Sequence, residues 1–164
     1  MKKIAIIYYS FSGNTKSVAD MIKEIFEIRE YEITMVRLMA SNEPTSFLKQ
    51  ALRALFKKKA IITEDVVCDL SEFDMVALGT PVWAFNMVPA MRTYLDKCQN
   101  LMGKNVLLFA TYGSGVGKDK CINEMADIVK SMGALKIMPV LMQQNEVKNY
   151  RLVMDKVKTA LSNG

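Results

Sequence analysis

Histidine is absent from the 164-residue sequence, and cysteine is scarce. The missing histidines remove the commonest general base of enzymes, and no side-chain triad takes its place. Cys68, Cys98 and Cys121 are odd in number, lie far apart in the chain and form no CxxC pair. This spacing argues against a disulfide framework and a zinc site, so we expect reduced thiols in the core or at the surface. We therefore predict no catalytic side chain and no metal.

The sequence also lacks a hydrophobic run long enough to span a membrane. No apolar stretch approaches the roughly 18 residues that a spanning helix needs. Lys2 and Lys3 lead into only about six apolar residues, and no small-residue cleavage site follows them. We expect a cytoplasmic protein that does not bind membranes. With 51% hydrophobic residues, the chain fits a single domain over residues 1–164.

A concentrated basic surface is a further missing feature. The net charge is +5, yet the lysines are spread along the chain and only 57–59 forms a run. Spread charge is usually a solvated surface. A nucleic-acid-binding protein would gather its positive charge on one surface or carry a recognisable module, and we find neither. We expect no nucleic-acid partner.

What the sequence does contain is an alternation of strand and helix patterns. Runs such as 75–79 and 106–111 are short and almost wholly apolar, which is typical of strands buried on both faces. Because helix patterns separate the strands, we predict a parallel sheet with helices on both faces. Pro139 places the last strand at a sheet edge or makes it irregular. The predicted strands are 3–9, 32–38, 75–79, 106–111 and 135–142, and the predicted helices are about 18–26, 87–98, 119–132 and 146–161.

An additional amphipathic helix is predicted at about 45–60, between the second and third strands. Phe47 and Leu48 belong to its apolar residues, whereas Lys49 and Arg53 belong to its polar ones. Two interpretations stay open. The helix either packs on the domain with a solvated basic face, or it forms a docking surface.

Three turns after predicted strands carry polar and small residues suited to a ligand. Ligands of parallel α/β sheets sit beyond the carboxyl ends of the strands, so we expect these turns to lie together. They are 10–15 (SFSGNT), 80–86 (TPVWAFN) and 112–117 (YGSGVG).

The first turn is suited to a phosphate group. Ser10, Ser12 and Thr15 offer hydroxyls, Asn14 offers an amide, and Gly13 frees backbone N–H groups where the first helix begins. Such N–H groups and the helix dipole, about half a positive charge, favour an anion. The alternative is an ordinary helix cap by Ser12 or Asn14, which would explain one of these residues rather than four. The spacings of Walker and dinucleotide-binding loops are not found here.

The second and third turns are suited to a flat ring. Trp83, the only tryptophan, stands with Phe85 in the second turn and could stack on a planar ligand. The alternative is that Trp83 is an ordinary core residue. The glycines of the third turn let the backbone approach a ligand closely. A phosphate and a flat ring indicate a mononucleotide, and a flavin is the commonest one with this layout.

The motifs SFSGNT (10–15) and LGTPVW (78–83) carry a family resemblance. The first resembles the [ST]-x-[ST]-G-x-T phosphate loop of the flavodoxins, and the second resembles the stretch ahead of their stacking tryptophan. The resemblance implies a three-layer α/β flavodoxin-like fold, with a five-stranded parallel sheet of order 2-1-3-4-5 and tightly held FMN. Trp83 would stack on the isoalloxazine, and the backbone of the second and third turns would bind its edge. The residues placed at FMN are Ser10, Phe11, Ser12, Gly13, Asn14, Thr15, Pro81, Val82, Trp83, Ala84, Phe85, Asn86, Thr111, Tyr112, Gly113, Ser114, Gly115, Val116 and Gly117.

The sequence departs from the flavodoxin pattern in the third turn and in its charge. Val116 and Lys118 stand where the family usually has a second stacking aromatic and an acidic neighbour, although Tyr112 could supply a ring. Family members are usually strongly acidic, whereas this chain is basic. Because negative surroundings disfavour the reduced, anionic flavin, we expect this chain to be a weaker reductant. In flavodoxins the peptide after the stacking aromatic turns over when the flavin is reduced, and by position this peptide is Ala84–Phe85.

The resemblance leaves more than one function open. The expected function is electron transfer between redox partner proteins through the exposed flavin edge. The alternative is an FMN-dependent NAD(P)H oxidoreductase, such as a quinone reductase, in which NAD(P)H or a small organic acceptor reaches the ring. A third possibility is a flavodoxin-like protein that binds a partner without flavin.

Overall fold

The structure is a computed structural model that describes residues 1–39 and 66–163. Strands and helices alternate through most of this part of the chain. The predicted helix at 45–60 lies outside the described residues. The elements are β1 (Lys3–Tyr8), α1 (Asn14–Ile28), β2 (Glu32–Arg37), β3 (Met75–Trp83), β4 (Asn86–Met87), α2 (Pro89–Lys97), β5 (Asn105–Tyr112), α3 (Lys118–Ser131), β6 (Lys136–Gln143) and α4 (Tyr150–Asn163).

In the described part of the chain, five long parallel strands form the sheet, in the order β2-β1-β3-β5-β6. A sixth strand, the short β4, pairs antiparallel with the end of β3. The predicted α/β class, a parallel sheet with helices on both faces, is confirmed. The predicted order 2-1-3-4-5 does not hold as written because β4 was not expected, so the last two long strands are the fifth and sixth.

The predicted turn 80–86 is also shorter than expected. Thr80 to Trp83 continue β3 beyond Gly79, and only Ala84 and Phe85 form the turn before β4. The helix predicted from residue 87 consequently begins later, at Pro89. Proline at that position supplies a fixed φ where the first helical N–H needs no partner.

Side chains alternate between two hydrophobic cores on opposite faces of the sheet. Along β1, Ile4 and Ile6 face α1 and α4, whereas Ala5 and Ile7 face α2 and α3. The same alternation repeats along the central strands, because successive residues of a strand point to opposite faces. Phe109 on β5, for example, belongs to the same core as Ile4. Helices on both sides bury these runs, and the strand ends are left to form the site.

The edge position predicted from Pro139 is confirmed, since β6 is the last strand of the sheet. Pro139 is exposed and pairs in register with Leu108 of β5. An edge strand tolerates a residue that has no N–H because its outer side makes no ladder. Within the described residues, none of the helices has the length and apolar character needed to cross a membrane.

Candidate cofactor site

The first turn leads into α1 through a glycine, which has no side chain with which to cap the helix. Gly13 is the N-cap residue, with φ 91°, and makes no side-chain capping bond. Glycine adopts this left-handed conformation without steric strain. The backbone N–H of Lys16 donates to Ser10 Oγ at 3.2 Å, and that of Ser17 donates to the Gly13 carbonyl at 2.9 Å. The capping alternative for Ser12 or Asn14 is therefore not what the structure shows.

A buried hydroxyl pair joins the first turn to the third. The Oγ1 atoms of Thr15 and Thr111 lie 2.8 Å apart, and both residues are almost fully buried. Thr15 belongs to the first turn of α1, and Thr111 lies near the end of β5. This hydrogen bond fixes the start of α1 against the carboxyl end of the neighbouring strands.

The turn between β3 and β4 has an unusual backbone. Ala84 and Phe85 both have positive φ, 44° and 68°, as in a type I′ hairpin turn. Such turns usually contain asparagine and glycine, because a β-carbon is strained there. The buried Asn86 follows, and its Nδ2 donates to the Ala84 carbonyl at 2.8 Å. Asn86 Oδ1 is buried without a hydrogen-bond partner in this structure. The Asn86 amide thus holds the carbonyl of the strained peptide.

The third turn packs directly against this hairpin. Gly117, with φ 80°, precedes α3, and a β-carbon there would lie 2.6 Å from Phe85 Cα. Only glycine permits this close approach. Tyr112 is half-buried at the start of the turn, and Lys118 Nζ lies 5.0 Å from the centre of its ring. A cation therefore lies beside the aromatic ring of this turn.

Two adjacent cavities occupy the space between the turns. The larger has a volume of about 480 Å³ and the smaller about 380 Å³. They share walls formed by Val82 and by 112–114. Each volume falls within the roughly 300–1,000 Å³ typical of small-molecule sites. Residues of the larger cavity are Phe11, Ser12, Asn14, Pro81, Val82, Trp83, Thr111, Tyr112, Gly113, Ser114 and Gln144; those of the smaller are Val82, Ala84, Phe85, Tyr112, Gly113, Ser114, Gly115 and Val116.

Trp83 is a wall of the larger cavity and is also largely buried. Only 6% of its surface is exposed. The Tyr9 and Phe11 rings meet the indole edge-on, with centroids 5.5 and 5.9 Å away. Trp83 therefore belongs to the core, as one interpretation expected, and it also borders the larger cavity. Its role in stacking stays a prediction.

The structure brings together most of the predicted site residues. Five of them, Ser10, Gly13, Thr15, Asn86 and Gly117, lie outside the two cavity walls. Thr15, Asn86 and Gly117 contact wall residues through the bonds and close packing given above. Ser10 and Gly13 are the chain neighbours of wall residues in the first turn.

Sequence reasoning missed Gln144. Its side chain borders the larger cavity, and its backbone N–H donates to the Tyr112 carbonyl at 2.8 Å. Gln143 Nε2 also donates to the Gly113 carbonyl at 3.2 Å, which holds the turn after β6 against the third turn. The sequence did hold a signal for this residue, because the turn after β6 follows a parallel strand, as the other three turns do, and so ends at the same side of the sheet.

Fold and site together define a class of protein. It is an α/β protein with a doubly wound parallel sheet and with cavities where the strand order reverses, beyond the carboxyl ends of β1, β3 and β5, which is where ligands of such sheets bind. A family model described as Flavodoxin matches residues 3–154 of the chain. The chain belongs to the flavodoxin family.

Solved structures agree on the fold. Oxidised flavodoxin 2 from Bacillus cereus is 18% identical, with a TM-score of 0.66 and 99% of each chain covered. A flavodoxin from the domain Archaea is 20% identical, with a TM-score of 0.61, covering 96% of this chain and 98% of that one. An NADH:FMN oxidoreductase, in its apo form, is 17% identical, with a TM-score of 0.62, covering 99% of this chain and 90% of that one.

The family implies a flavin cofactor, typically FMN, and the site residues fit one. Uncapped N–H groups at the start of α1, beside the Ser12 and Asn14 side chains, suit a phosphate. The smaller cavity lies between the strained hairpin and the third turn, and its walls include the exposed side chains of Phe85 and Val116. An end that offers N–H, hydroxyl and amide donors to an anion, and an apolar, partly open end, match the phosphate and the ring of FMN.

Proposed function

We propose that this chain binds FMN at the three turns and serves as an electron carrier between redox partner proteins. The observation that carries the proposal is the convergence of all three turns on adjoining cavities. FMN would supply the redox chemistry, as one- and two-electron acceptor and donor. The protein would contribute binding, orientation and electrostatics.

The first turn would bind the phosphate. Ser12 and Asn14 border the larger cavity, and α1 begins beside them with its positive dipole end. Thr15 would keep this helix start in place through its 2.8 Å bond to Thr111, rather than by touching the phosphate. Binding would thus depend on hydroxyl, amide and backbone donors.

The hairpin and the third turn would flank the ring. Asn86 holds the Ala84 carbonyl, and in a trans peptide the following N–H, that of Phe85, points the opposite way. The direction of this donor is therefore set by a buried side chain. Tyr112 borders both cavities and supplies an aromatic ring that the Val116 position lacks.

Exposed apolar side chains around the cavities support a carrier. Phe11, Phe85 and Val116 are 47%, 42% and 64% exposed. All three border the cavities, so a protein that docks there would cover them. Exposed apolar side chains that lie together commonly mark a surface where another protein docks. We propose redox partner proteins on the basis of these exposed apolar side chains alone.

An FMN-dependent NAD(P)H oxidoreductase is the second candidate. The observation that favours it is the wall of the smaller cavity, where the aliphatic Val116 stands in place of a covering ring. A nicotinamide or a small organic acceptor could then approach the flavin. The likeness to the NADH:FMN oxidoreductase supports the fold that both candidates share.

The first experiment compares binding of FMN and riboflavin to the apoprotein by flavin fluorescence. We expect FMN to bind more tightly, because riboflavin has no phosphate. S12A and N14A should weaken FMN binding about tenfold while leaving riboflavin binding unchanged, each corresponding to a lost hydrogen bond to a charged group. S131A, at the far end of α3, is the control. Equal affinity for both flavins would contradict the phosphate assignment, and no binding would contradict the flavin proposal.

A second experiment separates the two candidates. The FMN-loaded protein is mixed anaerobically with excess NADH or NADPH, and the visible absorbance of the bound flavin is followed. A carrier should stay oxidised until dithionite is added stepwise, when reduction should proceed in two resolved one-electron steps. Rapid bleaching by the nicotinamide would instead establish the oxidoreductase and direct the search to its organic acceptor.

A further inference from the structure

Two cysteines that are far apart in sequence meet at the opposite end of the sheet. Asp69 and Gln99 form a parallel bridge in front of β3 and β5. The Gln99 N–H donates to the Cys68 carbonyl at 2.8 Å, and the Leu70 N–H donates to the Gln99 carbonyl at 3.1 Å. These two bonds fix the register. Cys68 and Cys98 each stand one residue before the bridge, so they face each other across it.

The side chains of these cysteines share one side of the bridge. Asp69 and Gln99 are exposed, and the residues before them point the opposite way because extended chains alternate. Cys98 accordingly lies in the core at 6% exposure, and its thiol donates to the Leu95 carbonyl at 3.6 Å. Cys68 is half-buried. Cys68 is thus the less buried residue of the pair.

The ionisation of the pair reflects this proximity. Burial, followed by the neighbouring Cys68 thiol, raises the pKa of Cys98 to about 11. The Cys98 thiol is therefore protonated at neutral pH. Cys68, which is the more accessible thiol, would react first with an oxidant.

Both thiols are free in this structure. Register partners on adjacent strands lie about 4.8 Å apart, and disulfides bridge Cα atoms at about 4.4–6.8 Å. We propose that Cys68 and Cys98 are a site of reversible oxidation to an intramolecular disulfide. The site is distinct from the cofactor cavities, since it precedes β3 and β5 whereas the cavities lie where these strands end.

The oxidation balances with a small disulfide such as glutathione disulfide. The Cys68 thiolate attacks one sulfur of the oxidant and releases one glutathione thiolate, leaving a mixed disulfide on Cys68. Cys98 then loses its proton to solvent and attacks the Cys68 sulfur, releasing the second glutathione. The two cysteines lose two protons and two electrons in total, and the oxidant becomes two molecules of glutathione.

The bond would join the chain ahead of β3 to the end of α2. Tyr94 already links these parts, because its hydroxyl donates to the Val67 carbonyl at 2.9 Å. Cys98 is the C-cap residue of α2, and its N–H donates to the Tyr94 carbonyl. A disulfide here would add a covalent link to these hydrogen bonds, away from the turns proposed to bind the cofactor.

The test treats the FMN-loaded full chain with glutathione disulfide and maps its cysteines by peptide mass after alkylation. We expect loss of two hydrogens, a linked peptide pair containing Cys68 and Cys98, and one alkylated thiol at Cys121. Dithiothreitol should reverse the change. The matched control is C121S. Cys121 is fully buried on α3, so its replacement should leave the linked pair intact.

Two variants distinguish the steps. C98S should keep a stable glutathione adduct on Cys68, whereas C68S should remain unmodified at Cys98. Far-ultraviolet circular dichroism checks that both variants fold. If either does not, the proposal is tested by whether the unaltered chain yields the linked Cys68 and Cys98 peptides. The proposal would be overturned by a lasting adduct on Cys68 of the unaltered chain, by a link that involves Cys121, or by chains joined to one another.

Discussion

At the scale of single residues, the hairpin turn 84–85 concentrates the strain of the site. Two residues with β-carbons occupy left-handed conformations in succession. Each costs roughly 1 kcal/mol relative to glycine. Asn86, bonded to the Ala84 carbonyl, and the close fit of Phe85 against Gly117 hold the turn in place. The protein keeps a strained backbone where it adjoins the cavity.

Replacing Ala84 by glycine should therefore stabilise the apoprotein. We expect A84G to raise the free energy of unfolding in urea by about 1 kcal/mol, because glycine adopts positive φ without strain. The control is A126G, the same chemical change inside α3, which should lower stability by about 1 kcal/mol. A loss of stability in A84G would show that the turn is not strained.

The residue types of the sequence predicted part of the candidate site but gave no indication of the rest. The hydroxyls and glycines of 10–15 identified the first turn, because few other structures need that combination. The hairpin at Ala84 and Phe85 was missed because its residues lack the asparagine and glycine that usually signal a type I′ turn. Gln144 was missed because the site was expected only at the turns after the first, third and fourth predicted strands, whereas Gln144 follows the last strand. Turns with unfavourable residues can be found only once the packing that enforces them is known.

At the scale of elements, β3 and β5 pair along seven residues, and at one of these pairs the side-chain positions lie unusually close together. Gly79 pairs in register with Phe109, and a β-carbon on Gly79 would lie 2.1 Å from Phe109 Cζ. Phe109 is fully buried, so its ring has no free space into which it could move. The glycine of β3 is therefore required by its neighbour, and not by its own φ.

Adding a methyl group at Gly79 should destabilise the sheet. We expect G79A to lower the free energy of unfolding by about 1–3 kcal/mol through overpacking. The test is a double-mutant cycle with F109L, which makes room beside residue 79 but leaves a void on its own. The combined loss should be smaller than the sum of the two single losses. Strict additivity would refute the contact.

The connection between β6 and α4 depends on an ion pair. Glu146 accepts hydrogen bonds from Lys156 Nζ and from the Gln143 N–H, both at 2.8 Å. The Lys156 bond, followed by that of Gln143, lowers the pKa of Glu146 below 4.5. A carboxyl with a depressed folded-state pKa stabilises the fold above its unfolded value and loses this contribution as pH falls through the folded value.

Acid should therefore weaken this connection, which positions Gln144. We expect E146Q to reduce stability at neutral pH by less than about 1 kcal/mol, because the pair is partly exposed. The difference between E146Q and the unaltered chain should shrink as the pH drops below 4.5, the ordinary value of Glu146. Urea unfolding of both proteins from neutral pH to below pH 4.5 measures this difference in stability. A difference that does not depend on pH would contradict the ion pair.

At the scale of the whole molecule, we expect the positive charge of the chain to affect the redox potential of the proposed cofactor. The chain carries a net charge of +5, and Lys118 lies beside Tyr112 at the site. Positive charge stabilises the reduced flavin, which is anionic, and so raises its midpoint potential. The net positive charge of the sequence thus includes one lysine, Lys118, that lies at the candidate site.

Removing the Lys118 charge should lower that potential. We expect K118M to shift it downward by an interaction on the order of 1 kcal/mol, for a charge near the cavity at an effective dielectric of about 20. K2M removes the same charge just before the amino end of β1, at the opposite end of the strands from the cavities, and should shift the potential far less. Equal shifts in both variants would mean that net charge, rather than Lys118, controls the potential.

The position of Trp83 has a practical consequence for anyone who studies this protein. It is the only tryptophan in the chain, and it borders the larger cavity. Its emission should therefore come from one place, and a bound flavin should quench it by energy transfer. Occupancy and unfolding could both be followed from this intrinsic fluorophore, without a label.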